Sequence, residues 1–386
     1  MSEAGKRVLH IITNLDLAGA QKSVTSICCE LQKRGWDIHL AFSSRAGHLG
    51  PVGQEPEFLT RLQASGVRAH DIHAMVHSPS PLRDMWAAWK LFSLIRQVKP
   101  ALVHTHTAKA GILGRLAAWA AGVPMVHSAR GWSFNSSQST IVRRLYIMLE
   151  RIAARHTKLL LAVGTGTRDE GLEHRIGKAA QYRVVRSGFE RPRTDEEPEP
   201  VLPSIPDGAP IVAAIMELRD HKGPTDFLAI ADFVTSAHRS AHFILVGKGP
   251  LEPVLRAEAA ERCLEQRFHF LGHRQDIPAL LRRISVQVLP SRYEGLPRVV
   301  VESMAAGIPN VASSLPGTRE LISDGVDGFL VEPGDVNGFA KRVGQILSDQ
   351  NLQSVLGSAA QQKIGEEFWM DNVVTHHEEI YLSLIG

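Results

Sequence analysis

The chain has 386 residues, 44% hydrophobic and 22% charged, with a formal net charge of +3 and a pI near 8.8. This is the composition of a globular protein with room for two domains, and it is too weakly basic to argue for a nucleic-acid partner. No apolar run is long enough to cross a bilayer, residues 1–6 lack the apolar core of a signal peptide, and Cys28, Cys29 and Cys263 form neither a disulfide framework nor a zinc spacing, so a cytoplasmic protein is expected.

Val8–Thr13 reads as a strand and Asn14–Gly19 as a loop. Ala20–Arg34 has the period of an amphipathic helix, stopped by Gly35, and Asp37–Phe42 reads as the next strand. The opening is therefore βαβ, but its loop, LAGAQKS, carries neither GxGxxG nor a P-loop signature. Further on, Leu102–His104 is expected as a strand, Thr105–Lys109 as a loop, Ala110–Ala121 as a helix and Met125–Ser128 as a strand. Alternation puts His104 and His106 on one side, which invites a metal. No third ligand is evident nearby in sequence, and hydrogen-bonded histidines at a strand end are the expectation, with no metal.

Arg130-Gly131 follows that strand. An arginine stays protonated and can give two hydrogen bonds to an anion; a plain surface arginine is the alternative. Ile141–Lys158 sets Arg143, Arg144, Arg151, Arg155, His156 and Lys158 among Leu145, Ile147, Met148, Leu149 and Ile152. Such a helix suits an anionic membrane surface, or a core position with a solvated basic face. A linker is expected at 191–210, which holds six prolines and the acids Asp195, Glu196, Glu197 and Glu199.

Beyond it, strands at Ile211–Met216, His242–Val246, Arg267–Leu271 and Ser285–Leu289 alternate with helical patterns at Lys222–Ala237 and up to about Leu264, as in a doubly wound parallel sheet. The last of these strands runs through Pro290 into SRYE, and Gly295-Leu296-Pro297 opens a helical stretch, with Pro297 suited to the first helical position. A helix start offers free N–H groups and partial positive charge to an anion. Glu294 and Glu302 frame this turn as acceptors for hydroxyls. A nucleotide-sugar presents groups in that order: ribose hydroxyls, diphosphate, sugar hydroxyls.

Between Val286 and Asp335 the sequence resembles the nucleotide-binding core of the retaining glycosyltransferases of family four, on the segment VLPSRYEGLPRVVVESMAAGIPNVASSLPGTRELISDGVDGFLVEPGD that begins at Val288. The resemblance implies an α/β protein of GT-B fold, two doubly wound, Rossmann-like parallel-sheet domains facing a cleft. It divides the chain into an acceptor-side domain at 1–190, the linker at 191–210, a nucleotide-sugar domain at 211–368 and a C-terminal helix, 369–386, returning to the first domain. In the second domain it places Glu302 on the ribose, Glu294 toward the transferred sugar, the backbone of Gly295 and Leu296 on the diphosphate, and Gly249, Gly272 and His273 near ribose and base.

The segments VHTH and AGILGRLAA, Gly19 in the first loop and VVRSGFE near residue 190 resemble the family as well. Three positions depart from its pattern. Ala18 stands where a second glycine is usual, Arg130 where the strand usually ends in histidine, and Glu217 where an arginine usually clamps the diphosphate. Lys222 matches the second clamp residue, and Arg219 is the candidate to replace the missing arginine. The implied reaction moves a hexose from a nucleotide-diphosphate sugar to a hydroxyl of a glycan or lipid-linked acceptor, with retention and without metal or other cofactor. Glu294, Lys222 and Arg130 are its candidate catalytic residues, and peripheral contact with the inner face of a membrane would run through 141–158. A GT-B epimerase or phosphorylase, or a catalytically silent sugar-nucleotide-binding subunit, are the alternatives that the departures leave open.

Overall fold

The computed structural model describes residues 6–15, 19–44, 57–76, 80–132, 134, 138–191, 200, 202 and 205–385. Ala18, the linker acids Asp195–Glu199 and residues 1–5 lie outside the described residues. The chain forms two compact units, one of residues 1–190 with 366–386 and one of residues 191–365.

In the first unit the strands are β1 (Arg7–Ile11), β2 (Asp37–Phe42), β3 (Arg68–Asp71), β4 (Leu102–His106), β5 (Met125–Ala129), β6 (Leu159–Ala162) and β7 (Tyr182–Val184). They form one sheet in the order β3-β2-β1-β4-β5-β6-β7, and every pairing is parallel. Parallel neighbours need long crossovers, supplied by α1 (Gly19–Lys33), α2 (Glu57–Ala64), α3 (Pro81–Val98), α4 (Ala108–Ala120), α5 (Thr140–His156) and α6 (Thr165–Glu173). Helices on both faces bury the strands from two sides, which is why they read as near-continuous apolar runs. β4 extends two residues beyond the expected strand, through His106, because its partner β5 continues to pair with it as far as His106↔Ser128.

The second unit repeats the plan. Strands β8 (Ile211–Ile215), β9 (His242–Val246), β10 (Phe268–Gly272), β11 (Val286–Leu289), β12 (Asn310–Ser313) and β13 (Gly328–Val331) lie in the order β10-β9-β8-β11-β12-β13, again all parallel. Helices α7 (Pro224–Ala237), α8 (Glu252–Glu261), α9 (Ile277–Leu281), α10 (Arg298–Ala305), α11 (Pro316–Leu321), α12 (Val336–Ser348) and α13 (Gln350–Lys363) connect and cover them. Asp335 caps α12, its carboxylate accepting from the Gly338 N–H at 2.9 Å. Phe227, Phe243, Val288 and Phe339 meet in the main core. Part of the expected linker packs here too, with Leu202 and Ile205 against a smaller cluster around Ile211 and Ile244.

The chain rejoins the first unit at Glu366, three residues earlier than the sequence suggested. Phe368 belongs with the first unit because its carbonyl accepts from the Phe189 N–H (3.1 Å) while the Phe189 carbonyl accepts from Met370 (3.0 Å). The closing helix α14 (Met370–Ile385) then lies beside α1, buries Val373, Val374 and Tyr381, and binds Arg34 and Trp36 through Glu378 at 2.6 and 2.8 Å.

Candidate functional site

In an open parallel sheet, ligands lie beyond the carboxyl ends of the strands where the winding reverses. In the second unit that point falls between β8 and β11. The loop after β8 folds into a 3-10 turn, Asp220–Lys222, and the loop after β11 carries Ser291 to Leu296. The Lys222 ammonium donates to Glu294 Oε1 at 2.8 Å, and the Ser291 hydroxyl donates to the same oxygen at 2.8 Å. The Glu294 side chain is only 9% exposed, so these two donors compensate a carboxylate largely removed from water. Arg292 fastens the two loops, through its N–H to the His221 carbonyl (2.8 Å) and its guanidinium to Asp226 (2.7 Å). Burial, with the Lys222 cation beside it, holds the His221 pKa below the usual histidine value.

The other expected donor residues gather on the same rim. Leu218 presses its backbone against Gly249 so closely that a Cβ at Gly249 would overlap the Leu218 carbonyl, and the Gly272 carbonyl accepts from the Gly247 N–H at 2.7 Å. A Cβ at Gly317, near the start of α11, would overlap the Gly295 carbonyl oxygen; only glycine lets that helix support the loop. Leu296 is partly exposed beside Gly295, and His273 is exposed just past β10. Glu302, one turn into α10, accepts from Arg298 Nε at 2.7 Å.

Three sequence expectations change here. Pro297 is the extended residue before α10 (φ −71°, ψ 111°), and the helix starts at Arg298; the proline's missing N–H is still lost where no helical bond would have used it. Arg219 donates to Glu217, so the guanidinium expected to replace the missing clamp is engaged by the carboxylate that displaced it. A third histidine does stand beside His104 and His106. It is His10, brought across from β1 by the His10↔His104 register, and all three are buried, with ligand atoms within 4.8 Å of one another.

The cluster is a hydrogen-bond network. His10 Nδ1 and His106 Nε2 are 3.0 Å apart, His104 bonds the Tyr381 hydroxyl (2.5 Å) and the Ser128 hydroxyl (2.8 Å), and Tyr381 approaches His10 Nε2 at 3.4 Å. Most of these nitrogens thus address one another and α14. Burial above all, with the charges of neighbouring histidines, holds His104 and His106 well below the usual pKa and His10 down to about 3. Neutral rings of this kind could ligate a metal, but both nitrogens of His104 already have partners.

Arg130 and Gly19 belong to the first unit. Gly19 opens α1, and Arg130 donates to the Ser187 hydroxyl at 2.7 Å just past the end of β5. The winding of this sheet reverses between β1 and β4, where Thr107 takes φ 61°, ψ 164°. That conformation is costly for a β-branched residue, and hydrogen bonds from Thr13, hydroxyl to hydroxyl at 2.7 Å and N–H to hydroxyl at 3.3 Å, hold it. Ser291, Arg298, His10 and Thr107 were not singled out from the sequence; only Ser291, three residues before Glu294 in a polar turn, left a local signal.

Residues 195–363 match the family model described as "Glycosyl transferases group 1", and residues 18–188 the one described as "Glycosyl transferase 4-like domain". The chain is 27% identical over 337 residues to the Escherichia coli UDP-Gal:alpha-D-GlcNAc-diphosphoundecaprenol alpha-1,3-galactosyltransferase, covering 85% of this chain and 87% of that one. It is 28% identical over 365 residues to the putative glycosyltransferase EpsD of Bacillus subtilis, covering 91% and 90%. The crystal structure of Anabaena Alr3699/HepE in complex with UDP and glucose has the same fold, with a TM-score of 0.79 at 22% identity over 97% of this chain and 99% of that one.

Proposed function

The chain belongs to glycosyltransferase family four, with the GT-B fold, and on that premise we propose that it moves a hexose from a nucleotide-diphosphate sugar to an acceptor hydroxyl with retention at the anomeric carbon. The observation that carries the reading is the joining of Lys222, Glu294 and Ser291 at the winding reversal of the second sheet, beside the start of α10. Negative charge grows on the diphosphate as the glycosidic bond breaks. A lysine and the N–H groups of Gly295 and Leu296 are the groups in this rim that can stabilise it. Glu294, held by Lys222 and Ser291, keeps a second oxygen for the sugar hydroxyls, and Glu302 accepts from the ribose once Arg298 yields.

The acceptor in this reading is a glycan or a lipid-linked saccharide, the class to which the diphosphoundecaprenol named in the Escherichia coli relative belongs. Transfer would take place in the cytoplasm at the inner face of a membrane, with α5 in contact with lipid. No described helix is long and apolar enough to cross a membrane.

A thermal-shift screen of nucleotide-sugars tests the donor site, since a ligand that binds only the folded state raises its stability. One donor is expected to shift the wild type and to leave Glu302→Ala unshifted. A shift equal in both proteins would remove Glu302 from the site. Because a lysine and backbone donors carry the charge, transfer is expected to continue in EDTA; complete loss, restored by manganese, would overturn the metal-free reading. The engagement of Arg219 by Glu217 favours one other reading, a silent binding subunit, and tight donor binding without turnover on any acceptor would establish it.

A further inference from the structure

Helices α3, α4 and α5 lie side by side, α3 against α4 and α4 against α5. An Asp84–Lys109 ion pair of 2.8 Å aligns the first turns of α3 and α4, and a fully buried Arg115–Glu150 pair of 2.6 Å locks α4 to α5. The outer side of this layer is unusually apolar. α3 presents Leu82, Met85, Trp86 and Trp89, with exposures from 52% to 78%, α4 presents Leu116 and Trp119, and α5 presents Ile141, Leu145, Met148 and Ile152 as a stripe of spacing four, three and four, with Ile141 82% exposed. The amphipathic pattern of α5 therefore turns part of its apolar side outward, contrary to what a core helix with a solvated basic face would do.

The exposed groups are also joined to one another. Trp86 and Trp89 stack at 5.0 Å, the Lys90 ammonium lies 5.0 and 5.4 Å from their rings, and Trp119 meets His156, at the end of α5, at 4.7 Å. Across the three helices there are nine lysines and arginines against two acids, and both acids are the ones already paired inside the layer, Asp84 and Glu150. Setting aside Lys109 and Arg115, which those two acids engage, seven lysines and arginines remain on these helices in a chain whose formal charge is only +3.

We propose that the outer face of α3, α4 and α5 seats the protein on an anionic lipid bilayer, with Trp86, Trp89 and Trp119 as anchors in the headgroup region. Tryptophan prefers that region because its ring is apolar and its N–H polar, and lysine and arginine reach past it to phosphate. Exposed aliphatic side chains beside cations distinguish this face from a nucleic-acid surface, which would gain nothing from Leu82 or Ile141. The inference extends the contact read for α5 to all three helices and does not depend on the reaction catalysed.

The test uses the full chain with vesicles of phosphatidylglycerol and phosphatidylcholine, and with vesicles of phosphatidylcholine alone. All six tryptophans belong to the first unit, so brominated lipid that quenches emission reports on that unit only. Wild type is expected to sediment with the anionic vesicles, less so at high salt, and to be quenched. Trp86→Ala with Trp89→Ala and Trp119→Ala should bind at least about tenfold more weakly while keeping its circular dichroism and melting temperature, because the three rings are largely exposed. Binding by this variant equal to wild type overturns the proposal, and if Arg144→Glu with Arg151→Glu then loses binding, contact through α5 alone stands. Quenching no stronger than with non-brominated lipid overturns it without recourse to a variant. Self-association in the absence of lipid, abolished by the tryptophan substitutions, overturns it in favour of a second copy of the chain.

Discussion

Replacing Lys222 by methionine is expected to lower kcat by about 10²–10³-fold, the usual cost of removing one donor from a group on which negative charge develops. The substitution also leaves Glu294 with Ser291 as its remaining partner, and a carboxylate so little exposed then costs stability, on the order of 1–3 kcal/mol. The two effects separate in the pair Lys222→Met with Glu294→Gln, since a neutral amide no longer needs the ammonium. The double variant should recover most of the melting temperature and none of the rate. Steady-state kinetics beside thermal melts decide the matter: a Lys222→Met enzyme within about threefold of wild type in kcat would mean that the lysine supports the loop and not the leaving group.

How the lysine comes to stand there shows what the sequence could and could not tell. The strand, polar turn and helix from Val286 to Ala305 could be read directly, because an apolar run, a Gly-Leu-Pro break and a helical period are local signals. Alternation of strands and helices gave the class of both sheets for the same reason. The contact between Lys222 and Glu294 spans 72 residues and depends on β8 and β11 being neighbours, a fact of strand order that no local pattern carries.

His10 escaped notice for an equivalent reason. It lies 94 positions before His104 in sequence and directly opposite it in the β1–β4 register. The outward stripe of α5 escaped on other grounds. Periodicity tells which residues share a side of a helix, but neighbouring helices decide which side is covered, and α4 covers only the side bearing Glu150, Ala153 and Ala154. At Glu217 and Arg219 the two residue types were visible, yet their pairing with each other follows from the turn after β8.

Acidification from pH 7.5 to 5.5 is expected to destabilise the first unit by several kcal/mol and to lower its melting temperature by roughly 15–25 °C. Among the described residues five histidines of this unit are the most completely enclosed, His10, His104, His106, His127 and His377; His39, 4% exposed, is displaced in the same direction, to about 4, and adds to the effect. In each of the five, burial is the main force keeping the proton off. Neighbouring charges add to it, from His377 on His10, from His106 and His10 on His104, from His10 and Arg130 on His106, from Arg115 on His127 and from Arg130 on His377. The folded pKa is about 3 for His10, about 4 for His377 and well below 6.5 for the other three. Since the unfolded value is near 6.5, the unfolded chain binds protons below that pH while the folded unit does not. The stabilising difference is therefore complete above pH 6.5 and is lost progressively as the pH falls from there toward the folded values. At pH 5.5 each such histidine favours unfolding by about 1.4 kcal/mol, so that five together remove about 7 of the 5–15 kcal/mol typical of a domain. Tryptophan emission follows this unit alone, with Trp36 and Trp132 buried in its core. In the second unit His221, His242 and His269 are displaced in the same direction but are less completely enclosed, so its transition should move less. Calorimetry at the two pH values should show the first transition falling away from the second. A tryptophan-detected midpoint that stays within a few degrees would mean that the histidine network takes up protons without opening, and that Tyr381 and Ser128 can accommodate imidazolium.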